Sequence, residues 1–161
     1  MAYDIRPAAP DDIPLILEFI RGLAEYEKML DQVAATPEQL RASLFPADGV
    51  PVARCVIGSI DGVPAGFALY FFNFSTFLGR PGLYLEDLFV KPEFRGDGLG
   101  KALLVHLARI ANAHGCGRME WAVLDWNAPA IAFYESLGAK RLRDWQLCRL
   151  AGADLEKFGR V

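Results

Sequence analysis

The segment Arg95-Gly96-Asp97-Gly98-Leu99-Gly100-Lys101 places three glycines at alternate positions. It follows the apolar run Leu83–Val90 directly and opens a stretch whose leucines, Leu99, Leu103 and Leu107, recur at helical spacing. A strand, a glycine turn and a helix in succession constrain the chain more than any other feature. Glycine lets the main chain come close to a ligand. The first turn of a helix carries N–H groups with no internal acceptor and favours an anion. Arg95 and Lys101 add positive charge, so the implied guest is a phosphate or pyrophosphate; the competing reading is a surface loop that merely starts a helix. Two familiar phosphate turns are excluded by spacing. A Walker A loop needs Ser or Thr after its lysine, and Lys101 is followed by Ala102. The dinucleotide fingerprint would need glycine where Lys101 or Leu103 stands.

The remaining punctuation divides the 161 residues into one α/β domain over 1–161 without repeat or linker. The reading is a strand over Tyr3–Pro7, a helix over Asp11–Glu27 and a short helix capped by Thr36 and Gln39. Two strands between Ala53 and Phe74 turn at Asp61-Gly62. A strand over Leu83–Val90, a helix ending at Gly115 and a strand over Met119–Leu124 follow. Asn127 caps a helix closing at Gly138, and two last strands cover about Ala139–Leu142 and Gln146–Leu150. The sheet is therefore mixed.

With 53% hydrophobic and 23% charged residues the chain can bury a core unaided. Its net charge of −3 argues against a role in gripping nucleic acid. Cys55, Cys116 and Cys148 form no C-x-x-C pair and their odd number fits a reducing compartment. No leader or membrane span is legible, and the expectation is a cytoplasmic protein. His106 and His114 lie about 12 Å apart along one helix at ~1.5 Å per residue, so no metal site is expected.

Arg95-Gly96-Asp97-Gly98-Leu99-Gly100 matches, residue by residue, the acetyl-CoA signature Q/R-x-x-G-x-G/A. Asn127-Ala128-Pro129-Ala130-Ile131-Ala132-Phe133-Tyr134-Glu135-Ser136-Leu137-Gly138 is similar to a second signature helix. On these two motifs the chain resembles the GCN5-related N-acetyltransferases over nearly its whole length. The resemblance implies a mixed, mostly antiparallel sheet of six to seven strands, splayed between the fourth and fifth, with about four helices. Acetyl-CoA would lie in the splay against Leu88, Phe89, Val90, Arg95, Gly96, Asp97, Gly98, Leu99, Gly100 and Lys101, and against Asn127, Pro129, Ala130 and Phe133. Ala24-Glu25-Tyr26-Glu27, Leu83-Tyr84-Leu85-Glu86-Asp87 and Asp125-Trp126-Asn127 narrow the resemblance to the diamine acetyltransferases and their thialysine-acetylating relatives. Tyr26, Glu27 and Glu86 would then line the amine site with Asp87 and Trp126 beside them, Tyr134 would be the proton donor, and the protein would be a homodimer. Lys28 after Glu27, a shorter stretch between the second and third strands and a different tail depart from that group.

The residues support this chemistry on their own terms. Acetyl transfer to nitrogen needs a neutral amine, and deprotonating an alkylammonium of pKa ~10.4 at pH 7 costs about 4.6 kcal/mol. A carboxylate in an otherwise apolar strand can take that proton, and Glu86 is the favoured base or water-positioner; Asp87, on the opposite face of a regular strand, is open between a structural and a functional role. Tyr134, with a phenol pKa near ~10, is matched to a departing thiolate of pKa ~8.5. Phe133 reads as packing, while Trp121, Trp126 and Trp145 wall a pocket or fill the core. No histidine is spaced to activate a thiol, so direct attack in a ternary complex is expected, with a main-chain N–H near Leu88, exposed by a bulge, holding the oxyanion. Glu27 and Glu86 would flank a small primary amine with a second cationic group (a polyamine, diamine or lysine-like amino acid), reinforced by Asp31 and Tyr26. The alternatives are an acetyltransferase for a peptide or other amine, and a non-catalytic CoA-binding module. Leu69-Tyr70-Phe71-Phe72 is the expected surplus of apolar surface for a dimer.

Overall fold

The computed structural model describes residues 2–161, which form two compact units, one up to Ala122 and one from Val123 to Val161. In the first, β1 (Tyr3–Pro7), β2 (Arg54–Ile60), β3 (Val63–Ser75) and β4 (Arg80–Val90) pair antiparallel in sequence order, and β5 (Arg118–Trp121) joins β4 in parallel. The helices α1 (Ile13–Tyr26), α2 (Pro37–Leu44) and α3 (Leu99–Ala113) belong to the same unit. The mixed, mostly antiparallel α/β class is as expected, with five strands among the described residues in place of six to seven.

Local sequence accounts for most boundaries. The Asp61-Gly62 turn joins Ile60 to Val63, and both residues carry positive φ, 49° and 82°, as a two-residue hairpin demands. Thr36 Oγ1 accepts from Gln39 N–H at 3.2 Å while Gln39 Oε1 accepts from Thr36 N–H at 2.9 Å, so the capping box starts α2. Arg6 on β1 pairs with Asp12 ahead of α1 through two bonds of 2.7 and 2.8 Å, fixing the angle at which the chain leaves the sheet.

β2 is buried along almost its whole length because helices cover both faces. On one face Ile16 and Phe19 of α1 and Leu44 of α2 meet Cys55, Ile57, Phe67, Leu69 and Phe89, with the Phe19 and Phe67 rings stacked at 5.4 Å. On the other, Leu99, Leu103 and Leu107 of α3 are fully buried, and Gly58 leaves the space that Leu99 fills. Burying each such side chain contributes about 1.5–3 kcal/mol.

The second unit holds α4 (Ala128–Ser136) and α5 (Gly152–Phe158). Asn127 Oδ1 caps α4 by accepting from Ala130 N–H at 3.4 Å. The expected strands over 139–142 and 146–150 are not formed, and the strand expected to reach Leu124 ends at Trp121. Apolar residues make a strand only with a ladder partner. Here Arg141 turns back to Glu135 of α4 at 2.8 Å, and Trp145 and Leu147 are each 80% exposed. α5 has no counterpart in the sequence reading; Asp154 in its first turn and Lys157 in its last suit a helix dipole.

The Leu69–Phe72 run is not the apolar surplus expected of it. Leu69 and Tyr70 are buried within the chain, and Phe71 and Phe72 pack on Tyr84 and His114 at 5.1 and 4.8 Å between ring centres. Exposed apolar side chains do occur at the β3–β4 hairpin, at Phe74, Phe77 and Leu78.

Candidate active site

The site grows out of the geometry of β4. Its parallel ladder with β5 covers only Gly82–Leu85 against Arg118–Trp121, whereas its pairing with β3 runs on to Val90. From Glu86 onward β4 keeps a ladder on one side alone, which is the splay expected between the fourth and fifth strands. The exposed backbone groups can be assigned. Lys91 N–H donates to the Ala65 carbonyl at 2.8 Å. Because bonded and non-bonded pairs alternate in an antiparallel ladder, Phe89 and Asp87 then turn to β3 while Leu88 and Val90 turn away from it. Arg95 Nε accordingly reaches the Val90 carbonyl from that side at 2.9 Å.

A bulge lies two residues before Leu88, where it was expected. Tyr70 pairs with Leu85 and Leu69 with Asp87, so Glu86 is the extra residue of β4. The bulge resets the alternation of faces. Leu83 and Leu85 share the face of their partners Phe72 and Tyr70, whereas Asp87 and Phe89 share the opposite face with Leu69 and Phe67, beneath α1. An apolar strand thereby carries one carboxylate, Asp87, onto the α1 side and leaves the other, Glu86, exposed at the bulge.

Glu27 is the C-cap of α1 and completes the cluster. Burial, together with the negative charges of Glu86 and Glu27, pushes the Asp87 carboxyl up to about 6. Burial also raises Glu27. Two carboxyls raised on converging elements, Glu27 by burial and Asp87 by burial and the charges of Glu86 and Glu27, describe a site of concentrated negative charge. Asp87, open between two roles in the sequence, is thus the carboxyl whose surroundings perturb it most. Asp31 is exposed in a short turn after α1.

The last turn of α1 is tied to this strand. Gly22 allows the Phe89 ring to lie against the helix, since a Cβ there would stand 2.8 Å from the ring. Arg95 places its guanidinium 4.7 Å from the centre of the Tyr26 ring and 5.6 Å from that of Phe89.

The glycine turn itself begins after Arg95. Gly96 and Gly98 have φ of 88° and 87°, conformations that side chains resist, and Gly98 is the N-cap of α3 without a side-chain cap. Ala102 N–H makes the first helical bond, to Gly98 at 3.0 Å. The N–H groups of Gly96 to Lys101 have no acceptor among the described residues. A row of unpaired donors at a helix start fits a phosphate-bearing group. Lys101 belongs to the helix face that, with Tyr3, Ile5, His106 and Arg109, lines a cleft of about 440 Å³ between α3 and β1.

The second unit carries Trp126, Asn127, Pro129, Ala130, Phe133 and Tyr134. Pro129 sits in the first turn of α4, and the Phe133 and Tyr134 rings lie 5.5 Å apart. Phe133 and Tyr134 are half-buried, and Trp126 is exposed. Of the other tryptophans, Trp121 ends β5 half-buried and Trp145 is exposed. Cys55, Cys116 and Cys148 are free, and burial pushes the Cys55 thiol up to about 12, so it is no nucleophile at neutral pH.

Comparison with known proteins identifies the family. The Acetyltransferase (GNAT) family matches residues 21–139. The thialysine N-epsilon-acetyltransferase of Bos taurus is 41% identical, covering 96% of this chain and 95% of that protein. The L-ornithine N5-acetyltransferase NATA1 of Arabidopsis thaliana is 32% identical over 98% of this chain and 88% of its own. Among solved structures, an integron cassette protein from the mobile metagenome of V. cholerae superposes with a TM-score of 0.79 at 28% identity, covering 100% of this chain and 99% of that one. The chain belongs to the acetyltransferase (GNAT) family and is an amine N-acetyltransferase.

Proposed function

We propose that the protein transfers the acetyl group of acetyl-CoA to one nitrogen of a small amine that carries a second cationic group, such as a lysine-like amino acid, a diamine or a polyamine. The observation that carries this reading is the Glu27–Glu86–Asp87 cluster, in which burial and then the negative charges of Glu86 and Glu27 raise Asp87 to about 6. A dication relieves that repulsion, while a neutral or singly charged acceptor leaves part of it in place. The names of the thialysine and ornithine acetyltransferases it resembles point to acceptors of the same class.

Acetyl-CoA supplies the activated acyl group when bound. The unpaired N–H groups of Gly96 to Lys101 would hold its phosphates, and Leu88, turned away from β3, would direct its N–H at the acyl oxygen. Phe89 and Val90 on β4 complete the part of the binding set that the family resemblance implies in the first unit. Asp87 and Glu27 bind the ammonium groups, and Tyr26 lines the acceptor. A carboxyl near pKa 6 is matched to accepting the amine proton at neutral pH, and Glu86, exposed beside Asp87, passes it to water. Tyr134 gives a proton to the leaving thiolate. With Cys55 held as a thiol, the acceptor nitrogen attacks directly.

We also propose a cytoplasmic homodimer. Its support is the set of free cysteines and the exposed apolar side chains Phe77 and Leu78. Thiol release from acetyl-CoA over a panel of thialysine, ornithine, lysine, putrescine, spermidine and a short peptide tests the activity. The reading expects release with the doubly charged small amines; release with none of the panel overturns it.

A further inference from the structure

Arg95 is the first residue of the glycine-turn signature, and the sequence alone casts it as positive charge for a phosphate. Its side chain is engaged elsewhere. Nε donates to the Val90 carbonyl at 2.9 Å, which fixes the plane of the guanidinium. That plane then meets two rings, Tyr26 at 4.7 Å and Phe89 at 5.6 Å from the guanidinium carbon. Tyr26 is the last residue of α1 and adjoins the C-cap Glu27, one of the acids facing the amine. Phe89 lies against Gly22 of the same helix. One side chain thus joins three parts of the site: the glycine turn, the β4 segment beyond the β5 ladder, and the end of α1 that presents Glu27.

We propose that Arg95 is a positioning residue for the amine acceptor, holding the Tyr26 ring and the end of α1 against β4, and that the phosphates are bound by the backbone N–H row without its charge. The inference rests on the amine-acetyltransferase reading above. It explains why the fork of an arginine is used: the Nε–H must reach a carbonyl while a flat cationic face covers an aromatic ring, and a lysine ammonium has neither the plane nor the second donor direction. The backbone donors that remain unpaired, from Gly96 to Lys101, all lie past Arg95 in the turn, so phosphate binding has its own supply of hydrogen bonds.

The test uses the full chain and steady-state kinetics with acetyl-CoA and the best acceptor of the panel. Arg95→Lys keeps the charge and loses the fork; Arg95→Gln loses both. A positioning role raises the acceptor KM by about tenfold in both variants, while acetyl-CoA KM stays within about twofold of wild type. Tyr26→Leu raises the acceptor KM similarly, and adding Arg95→Gln to it has little further effect, because the two residues act as one unit. Direct titration of CoA into each variant checks the phosphate side without turnover and also shows that the variant is folded. The inference is overturned if Arg95→Lys behaves as wild type while Arg95→Gln weakens CoA binding, or if the Tyr26 and Arg95 effects add. A wild-type protein that acetylates no amine overturns the functional reading itself, which separates the two failures; a variant that fails to bind CoA while Arg95→Lys binds normally counts for the phosphate role.

Discussion

Asp87 on β4 and Glu27 at the C-cap of α1 belong to one half-buried patch of negative charge, and the Glu27 carboxylate adds to burial in holding the Asp87 carboxyl up to about 6. The Glu86 bulge makes the pairing possible, because it turns Asp87 from the face of Leu85 to the face of α1. Binding of a cationic acceptor and stability of the empty protein therefore oppose each other at this position.

Asp87→Asn should stabilise the protein and impair it. The folded-state pKa is raised above the unfolded value of 3.8, so the folded protein holds the extra proton between about pH 4 and 6 and is penalised once the group ionises. At 1.36 kcal/mol per pH unit the penalty at neutral pH is at most about 3 kcal/mol. Urea unfolding should show the variant gaining on wild type as pH rises from 4 to 6, with a constant advantage above. Acceptor kcat/KM should fall about 10–100-fold, the loss of one charged hydrogen bond. In wild type, acceptor kcat/KM should fall as pH drops below about 6.

Gly98→Ala tests the turn. A Cβ at φ of 87° is strained and would stand 3.1 Å from the Tyr3 hydroxyl. The expected cost is about 1–2 kcal/mol of stability. CoA affinity should drop by more than that of Gly115→Ala, whose φ is likewise positive but which lies past the end of α3. Calorimetric titration of both variants makes the comparison.

Tyr134→Phe should leave acetyl-CoA binding close to wild type, since the hydroxyl is needed when the thiolate leaves. Turnover should fall of the order of 10²–10⁴-fold, as for loss of a general acid. Single-turnover kinetics beside an equilibrium titration resolves the two steps.

Asp12→Asn should cost about 1 kcal/mol at neutral pH, because the Arg6 partner is partly exposed and screened. Hydrogen bonding to the Arg6 guanidinium holds the Asp12 carboxyl below its ordinary value. That stability is present above the unfolded pKa and is lost as pH falls through the folded one, so wild type and variant should converge in acid unfolding.

The legible parts of the molecule were those set by local chemistry. Asp61-Gly62, Thr36 with Gln39, and Asn127 mark their turns and caps because each satisfies backbone groups within three or four residues. The glycine turn was legible because its left-handed backbone at Gly96 and Gly98 calls for glycine at those positions. The bulge at Glu86 was not, because it is a property of register against β3, and regular alternation would keep Asp87 on the face of Leu83 and Leu85. The missing strands over 139–150 fail for a related reason: alternating apolar residues do not say whether a ladder partner exists. Arg95 was legible as a cation, but its rings, Tyr26 and Phe89, come from elements that only tertiary structure brings together.

The central claim is that the acidic cluster selects a second positive charge on the acceptor. The most direct measurement is the ratio of kcat/KM for a primary diamine to that for a monoamine of equal chain length, in wild type and in Asp87→Asn. The account predicts a wild-type ratio of about tenfold or more that collapses toward unity in the variant. A monoamine used as well as the diamine by wild type, or a preference that survives Asp87→Asn unchanged, would contradict it.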